Sequence, residues 1–157
     1  MTSDTSSTGL AGVLRGIEQV LLAAAALERE PRTLAAHLRA ALTSGDDRRD
    51  ALFLLGLLDL DYTRDLVPEL VGAALSHRDA GEARRALGAL EADTAGELVP
   101  PAVRALLEAQ PDDDAFRRMA ELLDHLGLED ALAELCEAAA ASEDPDIQEV
   151  AQDFGHR

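Results

Sequence analysis

The chain has no lysine, no asparagine and no tryptophan among its 157 residues, and it has a single cysteine. Without lysine there can be no P-loop lysine, no Schiff-base lysine and no lysine-activated nucleophile. Cys136 cannot close an intramolecular disulfide. It lies in an apolar helical run, as a small buried hydrophobe would. The sharper use of a lone thiol, a nucleophile beside a histidine, has no local signature around it. Aromatic residues make up only 3% of the chain, while Ala and Leu supply most of its 47% apolar content. Those two residues are strong helix formers, and no segment alternates as a half-buried strand does, so the expected fold class is all-α.

Positive charge is also scarce. The 14 basic residues are all Arg, a coding bias of the kind a GC-rich genome produces, and they face 31 acids for a net charge of −17. Residues 1–90 hold 13 acids and 10 Arg, and residues 91–157 hold 18 acids and 4 Arg, so −3 sits in the first part and −14 in the second. Phosphate backbones bind clustered cations, so direct nucleic-acid binding is not expected. An acidic surface complements a basic protein partner, and it also keeps a protein in solution.

Residues 1–9 carry no Lys or Arg and include Asp4, unlike the basic start of a signal peptide. The apolar stretch from Leu10 to Leu27 is interrupted by Arg15 and Glu18, which argues against a membrane span. Cytoplasmic residence is the expectation. Thr2 to Thr8 reads as a polar, disordered tail, residues 1–8. The histidines His37, His77, His125 and His156 show no pair at metal-ligand spacing, and neither a metal nor another cofactor is expected.

Against these absences stands an internal repeat. Leu66-Val67-Pro68-Glu69-Leu70 recurs 32 residues later as Leu98-Val99-Pro100-Pro101-Ala102-Val103. The same step back reaches Leu34, and 30 residues beyond Leu98 lies Leu128. Leu58, Leu90 and Leu122 each follow their unit start by 24 residues, and Gly56 and Gly88 follow theirs by 22. Such self-similarity marks stacked supersecondary units. The spacing predicts four helix pairs at 34–65, 66–97, 98–127 and 128–157, behind a capping helix at 9–29.

First helices are expected near 33–43, 66–76, 98–109 and 128–141, and second helices near 47–59, 80–92, 113–126 and 145–154. Asp144 reads as an N-cap with Pro145 at the first helical position, and Pro68 and Pro100 as first-turn prolines. Asp93-Thr94-Ala95-Gly96 reads as a unit boundary and Gly127 as a C′ glycine. Phe116, Met119, Ala120, Leu123 and Leu126 fall on one helix face, as do Ile147, Val150, Ala151 and Phe154. The helix at 51–60, apolar on nearly every side, is expected to lie deepest. Leu54, Leu58, Leu87, Leu90, Leu122 and Leu123 are the expected core.

Asp144-Pro145-Asp146-Ile147-Gln148-Glu149-Val150-Ala151-Gln152-Asp153-Phe154-Gly155 resembles the second half of a HEAT repeat: an Asp-Pro turn, a β-branched residue, an Arg, a small residue and a closing Leu-Gly. Asp112 to Gly127, with Phe116-Arg117 and Ala120, is similar, and Asp79 to Leu90 more loosely so. The likeness covers about residues 34–157. Gln148 stands where the family has Arg, and the units are shorter than typical, which leaves TPR-like and other α-solenoid geometries open. The resemblance implies a short right-handed α-solenoid and a scaffolding, protein-binding role, with nucleic-acid or enzyme roles in some members.

Arg48-Arg49, Arg84-Arg85 and Arg117-Arg118 recur near the start of three successive second helices, which in HEAT-like stacks tend to line the concave face. They read either as cationic anchors for an acidic segment of a partner or as a ladder bonded to turn carboxylates such as Asp46, Asp79 and Asp112. Neighbouring helical residues point about 100° apart, so one Arg of each pair can do either. Asp112-Asp113-Asp114 lacks the alternating ligands, glycine and distal Glu of a calcium loop. It reads as a helix N-terminal turn, where acids complement the dipole, and as part of an acidic surface open to a partner. The expected function is a non-enzymatic module that binds another protein. The alternative is an acidic inhibitor or immunity-type protein that blocks a basic enzyme such as a nuclease.

Overall fold

The computed structural model describes residues 15–155 except 17, 27, 28, 46 and 110. The expected tail at 1–8 and the start of the expected capping helix lie outside the described residues. Every regular element among the described residues is an α-helix. Residues 18–26 are helical, and nine further helices follow among the described residues. They are α1 (Pro31–Ser44), α2 (Arg48–Leu55), α3 (Leu60–Asp65), α4 (Val67–Ala74), α5 (Ala80–Leu87), α6 (Ala92–Leu107), α7 (Asp113–His125), α8 (Glu129–Ala140) and α9 (Pro145–Phe154). None of them is long and apolar enough to cross a membrane.

Local chemistry sets several of the helix ends. Asp112 accepts a hydrogen bond from the Ala115 amide at 2.9 Å to start α7, and Asp144 accepts one from the Asp146 amide at 2.9 Å to start α9, with Pro145 at its first position. At the end of α7, Gly127 has φ +66°, a left-handed conformation open to glycine. Its amide bonds back to the Asp124 carbonyl and that of Leu128 to the Leu123 carbonyl, the paired bonds of a Schellman stop.

The 32-residue period of the sequence is present in the backbone. Asp47 and Asp79 precede α2 and α5 with φ/ψ of −103/13° and −115/1°, and Gly56 and Gly88 close those helices at −66/−9° and −70/−9°. Asp59 and Glu91 precede α3 and α6 at −60/144° and −60/145°. Burial follows the same step: Ala51 and Ala83, Leu55 and Leu87, Val67 and Val99, and Val71 and Val103 are all in the core.

Two expectations fail here. Asp93 to Gly96 is not a boundary, because α6 begins at Ala92; the expected unit start at 98 falls inside it, and Pro100 and Pro101 are mid-helix. A proline in a helix removes the bond to the carbonyl four residues back. Those carbonyls belong to Gly96 and Glu97, both exposed, so water can take the freed acceptors. The matching stretch one period earlier is broken instead, into α3 and α4 at Leu66, with Pro68 in the first turn of α4 as expected. The short α3 is the helix missing from the expected count.

Nor is the helix at 51–60 the deepest element. Phe53 is 65% exposed and Leu60 48%, whereas Leu66, Leu70, Val71 and Ala74 of the next stretch are fully buried. A helix apolar on all sides buries only those faces its neighbours meet. α4 packs against α1, α3, α5, α6 and α7, while the main partners of α2 are α1 and α5. Of the expected core, Leu87, Leu122 and Leu123 are fully buried; Leu54, Leu58 and Leu90 are half-buried against it. Phe116, Met119, Ala120 and Leu123 of α7 and Ile147 and Val150 of α9 are buried as their spacing predicts. α9 packs on α8 and α7, closing the C-terminal end.

Candidate functional site

The three Arg pairs divide. Arg48, on the first turn of α2, donates from Nε to the Leu42 carbonyl at 2.8 Å, and its Nη1 lies 3.6 Å from Asp79 Oδ2 in the turn before α5. On α5, Arg84 Nη2 donates to Glu121 Oε2 of α7 at 2.6 Å. On α7, Arg117 Nη1 donates to Asp153 Oδ2 of α9 at 2.7 Å, and its Nη2 lies 4.0 Å from Glu149 Oε2. First helices carry the same device: Arg39 Nε donates to Glu69 Oε1 at 2.7 Å, and Arg104 Nη1 to Glu134 Oε2 at 2.9 Å. The hydrogen-bonded pairs span 30 to 37 residues, about one period. Arg–carboxylate pairs thus join neighbouring helices; of the expected turn carboxylates Asp79 takes part, and Asp46 lies outside the described residues. Asp112 caps its own helix, and the other acids come from helices.

Arg118 turns inward on its own helix. Its Nε donates to Asp114 Oδ2 at 2.8 Å, and it also meets His77 from the loop before α5. The bond from Arg118 holds the Asp114 carboxyl below its ordinary range, and the same bond raises Arg118, as the one to Asp153 raises Arg117. Asp112 at the N-cap and Asp113 in the first turn of α7 are exposed, where the helix dipole favours them. Cys136 is buried on α8, and burial pushes its thiol up, away from the reactive thiolate. Among the described residues no three His, Cys, Asp or Glu are grouped to hold a metal ion.

Arg49 and Arg85 remain. Both are exposed, and neither has an ion pair or hydrogen bond among the described residues. Together they border a groove of about 440 Å³ between α2, the turn after it, α3 and α5. Its apolar lining includes Phe53, Leu58, Leu60, Ala86 and Ala89, and Glu82 is its one carboxylate. Arg49 and Phe53 are four apart on α2, and Glu82 and Arg85 are three apart on α5, so each wall presents one face, with Ala89 in the turn after α5. Comparison of the chain with protein families, curated proteins and solved structures gives no match.

Sequence reasoning reached Arg49 and Arg85 but not Phe53 and Leu60. The signal for Phe53 was the run without a charged residue at 51–58, which holds more apolar side chains than one packed helix face can cover; Leu60, beyond Asp59, had none.

Proposed function

We propose that this protein is a non-enzymatic interaction module, a short right-handed α-solenoid of four HEAT-like helix pairs behind a capping helix, that binds a partner protein in the cytoplasm. The observation that carries this reading is the division of labour within the Arg pairs. Arg48 and Arg84 tie neighbouring helices together, while Arg49 and Arg85 stand unpaired beside an apolar groove whose Phe53 is 65% exposed. An exposed aromatic with unpaired arginines around it has the composition of a protein interface, where aromatic residues and Arg are enriched. The recurrence of backbone angles across one 32-residue step and the Arg–carboxylate rungs support a rigid stack that presents such a surface in one shape.

The test is affinity capture from native lysate with the full chain, followed by reconstitution from purified components. A single protein retained at fixed stoichiometry, and released by excess untagged chain, is the expected result. Retention of nothing beyond what an unrelated acidic protein of similar charge retains would overturn the reading.

A second reading, an acidic inhibitor that blocks a basic enzyme, draws on residues 91–157. Their described arginines, Arg104, Arg117 and Arg118, are each paired with an acid, and exposed carboxylates such as Asp113 and Glu137 are left over. For that partner, salt slows association while dissociation barely changes, because long-range attraction acts on the encounter. Replacing Asp112, Asp113 and Asp114 with Ser should reproduce part of the loss. Salt-independent association would exclude this reading.

A further inference from the structure

The groove between α2 and α5 restricts the chemistry of what can fill it. Its floor is apolar, and Phe53 and Leu60 leave enough surface open that covering them is favourable in proportion to area. Its rim carries two cations and one anion: Arg49 from one wall, Arg85 and Glu82 from the other. A basic segment would set its charges against two unpaired guanidinium groups. A small inorganic anion would satisfy the arginines and leave Phe53 and Leu60 uncovered. A segment that is apolar on one side and acidic at that side's edges satisfies both. The strong negative charge of the chain does not oppose this here, since residues 1–90, which contain the whole groove, sum to only −3 against −14 for the remainder. Charges beyond about 8–10 Å are largely screened at physiological salt.

We propose that this groove receives an acidic amphipathic helix of the partner protein, with bulky apolar side chains on Phe53 and Leu60 and carboxylates on Arg49 and Arg85. The proposal rests on the interaction-module reading and names the occupant of its surface. Two neighbouring helices offering apolar side chains and a charged rim are the receiving half of helix-in-groove recognition, read by the ligand at i, i+3, i+4 and i+7. The two arginines supply charge-assisted, fork-like hydrogen bonds that fix the ligand's register. Glu82, on the same face as Arg85, disfavours a third carboxylate at that end and so gives the ligand a direction.

The probe is a fluorescein-labelled amphipathic peptide with Leu at i, i+3, i+4 and i+7 and Glu flanking that face, together with a twin in which every Glu is Lys. Fluorescence anisotropy with the full chain should show the Glu peptide binding and the Lys twin binding at least roughly tenfold more weakly. Arg49→Glu with Arg85→Glu should reverse that preference, and Phe53→Ser should weaken the Glu peptide by roughly tenfold or more. Since all three side chains are exposed, circular dichroism should show unchanged helicity; Arg49→Gln with Arg85→Gln serves if the charge reversal does not fold. Equal binding of the two peptides, no binding of the Glu peptide, or an unchanged preference in the reversed chain would overturn the proposal. If lysate capture retains a partner that the groove variants still hold, the groove assignment fails and the interaction-module reading stands. If no partner is retained at all, that reading fails first.

Discussion

The substitution Arg48→Met separates a structural arginine from the free ones beside it. Asp79 is 5% exposed, and its nearest cation is Arg48, whose guanidinium lies 3.6 Å away. At that distance, with the effective dielectric of about 20 that suits pairs near a protein surface, the attraction is about 4–5 kcal/mol before desolvation is counted. Met keeps the aliphatic stem but removes that attraction and the hydrogen bond to the Leu42 carbonyl. Asp79 then keeps only the Ser76 hydroxyl, 3.5 Å away, as a side-chain partner. Stranding a buried charge is strongly destabilising, and allowing for the partial exposure of Arg48 the expected loss is about 2–4 kcal/mol. Arg104→Met is the comparison. Its ion pair with Glu134 is shorter, 2.9 Å, but both side chains are more than half exposed, so the expected loss is below about 1 kcal/mol. Urea unfolding followed by far-ultraviolet circular dichroism measures both. Arg48→Met with Asp79→Asn should be more stable than Arg48→Met alone, since the stranded charge is gone. Equal losses for Arg48→Met and Arg104→Met, or a double variant worse than the single, would refute the reasoning.

Leu87→Ala, at a fully buried site, should cost about 2–5 kcal/mol, whereas Phe53→Ser should change stability by less than about 1 kcal/mol; equal losses in urea unfolding would place Phe53 in the core. The Asp114 carboxyl is held low by Arg118, so its contribution to stability is present above the ordinary carboxylate range and fades as pH falls through the lowered value. Asp114→Asn should therefore lower the melting temperature slightly at neutral pH and converge with the parent protein in acid, and a gap that widens with acidity would contradict the assignment. Cys136 should react slowly with a thiol reagent in the folded protein and rapidly in urea; fast native labelling would show that α8 does not bury it.

The features that could be read in the sequence are those whose causes lie within a few residues. Asp144-Pro145 and Gly127 work through bonds to amides and carbonyls one or two turns away, so their chemistry is the same whatever packs around them. The apolar faces of α7 and α9 follow from helical spacing alone. The 32-residue period is local in the same sense, since like residues at like positions adopt like backbone angles at Asp47 and Asp79 and at Asp59 and Glu91. Pro100 misled because proline marks a first turn only when nothing upstream starts the helix sooner, and here the helix already begins at Ala92.

Tertiary structure decided what depends on which faces meet. Arg48 and Arg49 are chemically identical and adjacent, and no local rule tells the arginine facing Asp79 from the one beside Phe53. Their roles separate because a residue 31 positions on supplies the partner for one and an open groove borders the other. The all-apolar run at 51–58 likewise says that α2 can be buried on any side, but not that one side stays uncovered. Composition and period determined helices, several of their ends and their apolar faces; contacts between residues far apart in the chain determined which arginines join neighbouring helices and which surface is left uncovered, because burial is a property of neighbours and not of the buried residue.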